Sequence, residues 1–239
     1  MQTPTPDPVT FAFVLLAAGV AALAAWGVAR AGSPPLPPRA STPRLLVALG
    51  VAAAWMILWA VVARSGAFLQ FTRRPSPFLF VLVGTLGAGL ALGLSPLGAR
   101  LARGVPLAAL VAFQGFRLPL ELIMHRAARA GAMPVQMSFD GYNFDVITGV
   151  TALAVAALLA AGRAPRWLVV AWNVLGIALL INIVTIAVAS TPLIRAFGTA
   201  PERVNTWVAT SPFVWLPTVF VALAIAGHIV VTRRLLADR

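Results

Sequence analysis

Residues 167–189 read WLVVAWNVLGIALLINIVTIAVA, a run without a single charged side chain. A helix rises about 1.5 Å per residue, so such a run reaches the roughly 30 Å of a bilayer's hydrocarbon core. It contains two asparagines and a threonine but no group that must stay ionised. A stretch of this kind belongs in a lipid bilayer.

Six other segments read the same way. Apolar stretches fall at about 9–30, 44–63, 77–97, 105–128, 144–161 and 213–235, with the quoted run sixth in order. The sequence therefore predicts an all-α fold, an integral membrane bundle of seven transmembrane helices forming a single domain over residues 1–239. Composition agrees: 60% of the 239 residues are hydrophobic and only 10% charged. The surface of a soluble domain needs more charge than that. The segment at 9–30 has no basic residue before it and is too long for a signal peptide, so it reads as a retained helix.

All 18 basic residues are arginine, against 6 acids, for a net charge of +12. With the N-terminus outside and the C-terminus cytoplasmic, ten arginines fall in inner loops: 30, 39, 44, 100, 103, 163, 166, 233, 234 and 239. Seven fall outside: 64, 73, 74, 126, 129, 195 and 203. The excess favours that orientation. Positive loops beside anionic lipid head groups account for the charge. No polar segment is long enough to form a nucleic-acid-binding domain, so nucleic acid is not an expected partner. The absence of lysine excludes a retinal Schiff base, and the absence of cysteine excludes c-type haem and Fe–S clusters. P-loop, HExxH, GxSxG and dinucleotide signatures are missing too.

The segment 33–43 carries Pro34, Pro35, Pro37, Pro38 and Pro43 and reads as a stiff connector. Gly84, Gly87, Gly89 and Gly93 in the third segment allow close helix contact. Gly89 and Gly93 have GxxxG spacing. Packing within the chain is the simpler use of that spacing; a homo-oligomer seam is the other.

The fourth segment holds the strongest functional lead. Gln114, Arg117, Glu121 and His125 step by three, four and four and are expected on one helix face. Ionisable groups at bilayer depth face a protein interior or a water-filled cavity. Spacing alone allows an Arg117–Glu121 ion pair and a proton shared by Glu121 and His125. Pro119 between them is expected to kink the helix. The ordinary alternative is a buried ion pair that fixes bundle register. The following loop, 134–145, adds Gln136, Asp140 and Asp145, a candidate lid above the stripe. Asn143 suits the N-cap of the fifth helix, with Asp145 in its first turn.

In the sixth segment Asn182 and Thr185 share a face, and Asn173 lies on the opposite one; interhelical hydrogen bonding is the ordinary use of such groups. Trp215, near Pro217 and Thr218, reads as an interfacial anchor. His228 is expected about 22 Å below the outer end of the last helix, too far from His125 to share a metal. Met124, Met133 and Met137 near His125 raise copper, but methionine in an apolar chain is ordinarily packing. No metal is expected, and no cofactor can be named.

Several of these motifs occur together. Phe116-Arg-Leu-Pro-Leu-Glu-Leu122 with His125, Pro134-x-Gln-Met137, Gly141-x-Asn-Phe-Asp145, Trp172-Asn173 and Asn182-Ile-Val-Thr185 resemble a group of uncharacterised bacterial multi-pass membrane proteins over residues 105–235. The resemblance implies a multi-pass protein of the bacterial inner membrane and attaches no activity to any residue. A seven-helix count is shared with rhodopsins and with ceramidase-type zinc hydrolases. The missing lysine argues against the first, and two histidines on opposite sides argue against the second.

Three functions remain open. The leading one is a periplasm-facing polar pocket, lined by Gln114, Arg117, Glu121, His125, Gln136, Asp140, Asp145 and Asn182, that binds or translocates a small polar or anionic solute or protons. The second is an intramembrane acid–base enzyme acting on a lipid or isoprenoid. The third is a membrane sensor or accessory subunit.

Overall fold

The computed structural model describes residues 4–31 and 38–237, with residues 38–40 through their backbone alone. Residues 33–37 of the proline connector, and Arg239 of the charge pattern, lie outside the described residues. The last prolines of that connector, Pro38 and Pro43, are already helical.

Among the described residues the chain is all α-helical, without strands. Its α-helices are α1 (Asp7–Arg30), α2 (Pro38–Arg64), α3 (Pro77–Leu94), α4 (Pro96–Gly104), α5 (Leu107–Phe113), α6 (Arg117–Arg129), α7 (Val146–Ala160), α8 (Arg166–Ala189) and α9 (Ala222–Ala237). Six helical stretches are long and apolar enough to cross a membrane: Asp7–Arg30, Ser41–Arg64, Pro77–Leu94, Leu107–Arg129, Arg166–Ala189 and Leu216–Ala237. The third segment is shorter than its sequence suggests. Pro96 cannot continue a helix hydrogen-bonded through its nitrogen, and Ser95 caps a new amphipathic helix, α4, through Gly98 N–H at 3.2 Å.

The fifth segment departs most from expectation. α7 has 15 residues, which is about 22 Å, short of the roughly 30 Å hydrocarbon core. It starts late because Asp145, at its N-cap, is held inside the bundle by Arg117. The loop 131–145 folds inward above it.

The first two-thirds of Leu107–Arg129 is interrupted by a 3-10 turn, Gln114–Phe116. Pro119 has no N–H to give the Gly115 carbonyl, and its ring crowds that same carbonyl, so the α-helical ladder cannot run through. The last membrane-length helix opens with a π-helical stretch, Leu216–Val221, around Pro217.

Two contacts organise the packing. α3 lies tightly on α9: a Cβ at Gly89 would collide with Ile225, and one at Gly93 with Ile229. The glycines of the GxxxG spacing thus let two helices of one chain approach. Phe13 of α1 meets Trp207, Phe213 and Phe220 edge-on, with centroids 5.8, 5.1 and 5.4 Å away. These rings anchor the loop 190–215 to the bundle. We call this loop, together with 131–145, the lid end. At the opposite end, arginines satisfy helix-terminal carbonyls. Arg233 donates to Gly93 and Ser95 at 2.8 and 2.9 Å, Arg234 to Ala102 and Arg103 at 3.1 and 3.3 Å, and Arg166 to Leu235.

Candidate functional site

The site forms where the interrupted helix meets the late start of α7. Arg117 is 1% exposed and donates to Asp145 Oδ1 at 2.7 Å. A second, longer bond from the same nitrogen reaches the Gly176 carbonyl of α8 at 3.3 Å. The expected partner, Glu121, is not the one that Arg117 chooses. An i,i+4 pair on one helix contributes only about 0.2–0.5 kcal/mol. Here α7 places a carboxylate directly opposite.

Glu121 is buried one turn further along and accepts a hydrogen bond from Asn143 Nδ2 at 2.7 Å. Asn143 is a connector. Its amide also donates to the Met137 carbonyl at 3.0 Å, and its Oδ1 accepts the Asp145 backbone N–H at 3.1 Å. One side chain thus shapes the turn into α7, steadies the lid and binds the carboxylate. The sequence assigned Asn143 only a capping role.

His125 does not share a proton with Glu121. It is half-buried, stacks on Phe139 at 4.2 Å between centroids, and stands 3.5 Å from Asp140. Asp140 is also 3.8 Å from exposed Arg129. These groups form a rim outside the buried cluster, so Asp145 belongs with Arg117 rather than with His125 and Asp140.

The remaining sequence candidates hold the walls. Gln114 is fully buried and donates to the Ala224 carbonyl at 3.2 Å. The 3-10 turn directs it to α9, while Arg117 addresses α7 and α8. Gln136 ties the two lid loops, donating to Ser190 Oγ at 3.1 Å and to the Arg203 carbonyl at 2.6 Å. Asn182 donates to the Tyr142 carbonyl at 2.8 Å and supports the lid from outside the cluster. Thr185 is exposed and bonds within its own helix. Trp215 donates to the Met56 carbonyl at 2.9 Å and joins the last helix to α2.

His228 was missed as a site residue. Counting along its helix put it remote from the stripe, yet it is buried and its ring presses on Gly176, the residue whose carbonyl Arg117 contacts. Its Nδ1 is 2.8 Å from Asn173 Oδ1, and Asn173 donates to Thr232 Oγ1 at 2.9 Å. Two polar networks thus flank Gly176, one of Thr232, Asn173 and His228 and the other of Arg117, Asp145, Asn143 and Glu121, and among the described residues no hydrogen bond joins them. Several buried atoms in this region have no hydrogen-bond partner among the described residues: Arg117 Nε and Nη2, Gln114 Oε1, Thr148 Oγ1 and His228 Nε2. Buried polar atoms of that kind call for water or a ligand.

A cavity of about 70 Å³ adjoins the cluster. Arg117, Glu121 and Asp145 line it together with hydrocarbon side chains such as Phe78, Leu120, Ile183 and Phe220. It has room for a few water molecules and not for a drug-sized ligand. Among the described residues, no group of three or more histidine, cysteine, aspartate or glutamate side chains could hold a metal ion.

No family model, curated protein or solved structure matches the chain, so the resemblance read from its motifs remains an expectation.

Proposed function

We propose that this protein is a seven-pass protein of a bacterial inner membrane, with its N-terminus outside and C-terminus cytoplasmic, that moves protons or a small polar solute through the cluster around Arg117. The observation that carries this reading is the charge count of the buried site. One guanidinium meets two carboxylates, Asp145 directly and Glu121 a turn away. The charge of Arg117 is already balanced by Asp145, which weighs against a fixed cationic site for an anion, although its Nε and Nη2 still have room for a neutral acceptor such as water. Glu121 leaves a place for one further positive charge, a proton or a small cation. Ionisable groups at membrane depth mark such pathways, and a second polar network, of His228, Asn173 and Thr232, lies beyond Gly176 from Arg117. The rim of His125 and Asp140 is the periplasmic entrance in this reading. α7 serves as the seventh crossing, with the infolded lid making up its length.

The test is flux in liposomes. Purified protein is reconstituted with a pH-sensitive dye inside, and a potassium–valinomycin potential is imposed. Acidification that falls at least tenfold in Glu121→Gln supports proton movement. Wild-type liposomes as tight to protons and to alkali cations as empty ones overturn it.

A second reading has one observation in its favour. The cavity over Glu121 is lined mostly by hydrocarbon, which suits an apolar substrate of an intramembrane acid–base enzyme. Against it, the Glu121–His125 pair that such chemistry would use is not formed. A lipid-like species co-purifying at unit stoichiometry and altered by the protein would favour the enzyme.

A further inference from the structure

A second and larger void lies away from this cluster. It measures about 930 Å³ and runs between α1 and α2 on one side and α3 and the start of the last helix on the other. α2 creates it by standing off the bundle: no residue in its most apolar stretch is buried. Its lid-end half is fastened. Trp55 Nε1 donates to the Thr218 carbonyl at 2.9 Å, Trp215 Nε1 donates to Met56, and Trp59 covers Gly84. Below Trp55 the walls are small and apolar, with Ala24, Ala48 and Ala91 among them. The mouth at the opposite end carries Arg44 and Arg100.

Three features define what fits. The first is depth. From Trp55 to Arg44 is eleven residues, roughly 16 Å of helix, close to the thickness of one leaflet's hydrocarbon. The second is lining: alkyl and methyl groups line the crevice from Trp55 down to its mouth. The third is charge. Arg166, Arg233 and Arg234 at this end are engaged by carbonyls. Arg44 and Arg100 are exposed and, among the described residues, have neither a hydrogen-bond nor an ion-pair partner. We infer that this crevice is a binding site for an anionic phospholipid, its acyl chain between α2 and α3 and its phosphate between Arg44 and Arg100. A juxtamembrane arginine contributes about a five-fold gain in affinity for anionic lipid, so the pair should discriminate by roughly twenty-five-fold.

Native mass spectrometry of the full-length protein tests this, with phosphatidylglycerol and phosphatidylcholine titrated separately into the detergent micelle. One phosphatidylglycerol should remain bound per chain, with phosphatidylcholine weaker by about twenty-five-fold. Arg44→Gln and Arg100→Gln should each lower phosphatidylglycerol binding about five-fold, and the pair together should remove the preference. Both residues are exposed, so an unchanged melting temperature shows that the fold survives. Ala91→Trp, which fills the crevice and leaves both arginines, should also expel the lipid. Excess inorganic phosphate should not compete, since it lacks the chain. Equal retention of both lipids, indifference to Ala91→Trp, competition by free phosphate, or a lipid-free dimer occupying this face would each overturn the assignment.

Discussion

His228 packs its ring against the α-carbon of Gly176, and the carbonyl of that glycine accepts a hydrogen bond from Arg117. A histidine of the last helix and an arginine of α6 thereby meet on opposite sides of one residue in α8. A Cβ at position 176 would overlap His228 Cε1 and Nε2 and crowd Thr148. Overpacking of this kind costs about 1–3 kcal/mol. Gly176→Ala should lower the melting temperature in detergent. His228→Ala, which empties the space, should restore part of the loss in the double variant. Additive losses would show that the two residues do not touch.

Arg117 and Asp145 form the most buried ion pair of the described residues. Removing one partner leaves the other charge stranded, at a cost of about 3–5 kcal/mol. Arg117→Ala should therefore be less stable than Arg117→Ala with Asp145→Ala. Thermal unfolding of both checks this. If the double variant folds yet liposome flux stays absent, Arg117 has a role beyond stability. If flux returns with the fold, the pair is structural.

Glu121→Gln is the gentlest probe of the site. A glutamine carbonyl can still accept from Asn143 Nδ2, so the lid turn should persist and the melting temperature should move by less than about 1 kcal/mol equivalent. Flux should nevertheless collapse, because the amide cannot take up a proton. A variant of unchanged stability and unchanged flux would exclude Glu121 as the carrier.

Gln136 links loop 131–145 to loop 190–215 through two hydrogen bonds. Gln136→Ala leaves the Arg203 carbonyl without this donor and removes the bond that Ser190 Oγ accepts, though Ser190 still donates to the Ile186 carbonyl, at a cost of about 1–3 kcal/mol. Amide hydrogen exchange should quicken in both loops together and remain unchanged in α3 and α9. Loosening of one loop alone would mean that Gln136 does not couple them.

The apolar runs were plain in the sequence, because burial in lipid needs only length and hydrophobicity, and the six membrane-length helices follow from them. The start of α7 was not plain. Nothing in residues 144–161 says that Asp145 will be drawn inward by an arginine 28 positions earlier. The stripe was legible as a set of buried polar groups: Gln114, Arg117 and Glu121 are all interior. Its pairing was not, since helical spacing reports only neighbours on one helix. Asn143 and His228 were missed for the same reason. Their partners come from other elements, and a position counted along one helix fixes depth without fixing direction. The α2 crevice left no sequence signal, because an apolar helix that packs on the bundle along half its length and one that packs along all of it have the same composition.

The arginine carbonyl contacts at the end opposite the lid alter what the basic composition means. Arg233 alone bridges the termini of two helices, with one nitrogen reaching Gly93 and Ser95. Arg166 and Arg234 close two more helix ends. These guanidinium groups serve as fasteners between helix ends: they keep their share of the formal charge of +12, but their donors are committed to backbone carbonyls. Salt that screens a surface patch should leave these joints intact, since their partners are backbone carbonyls rather than mobile ions. A chain that looks strongly basic on paper is, at this end, partly stitched shut by its own arginines.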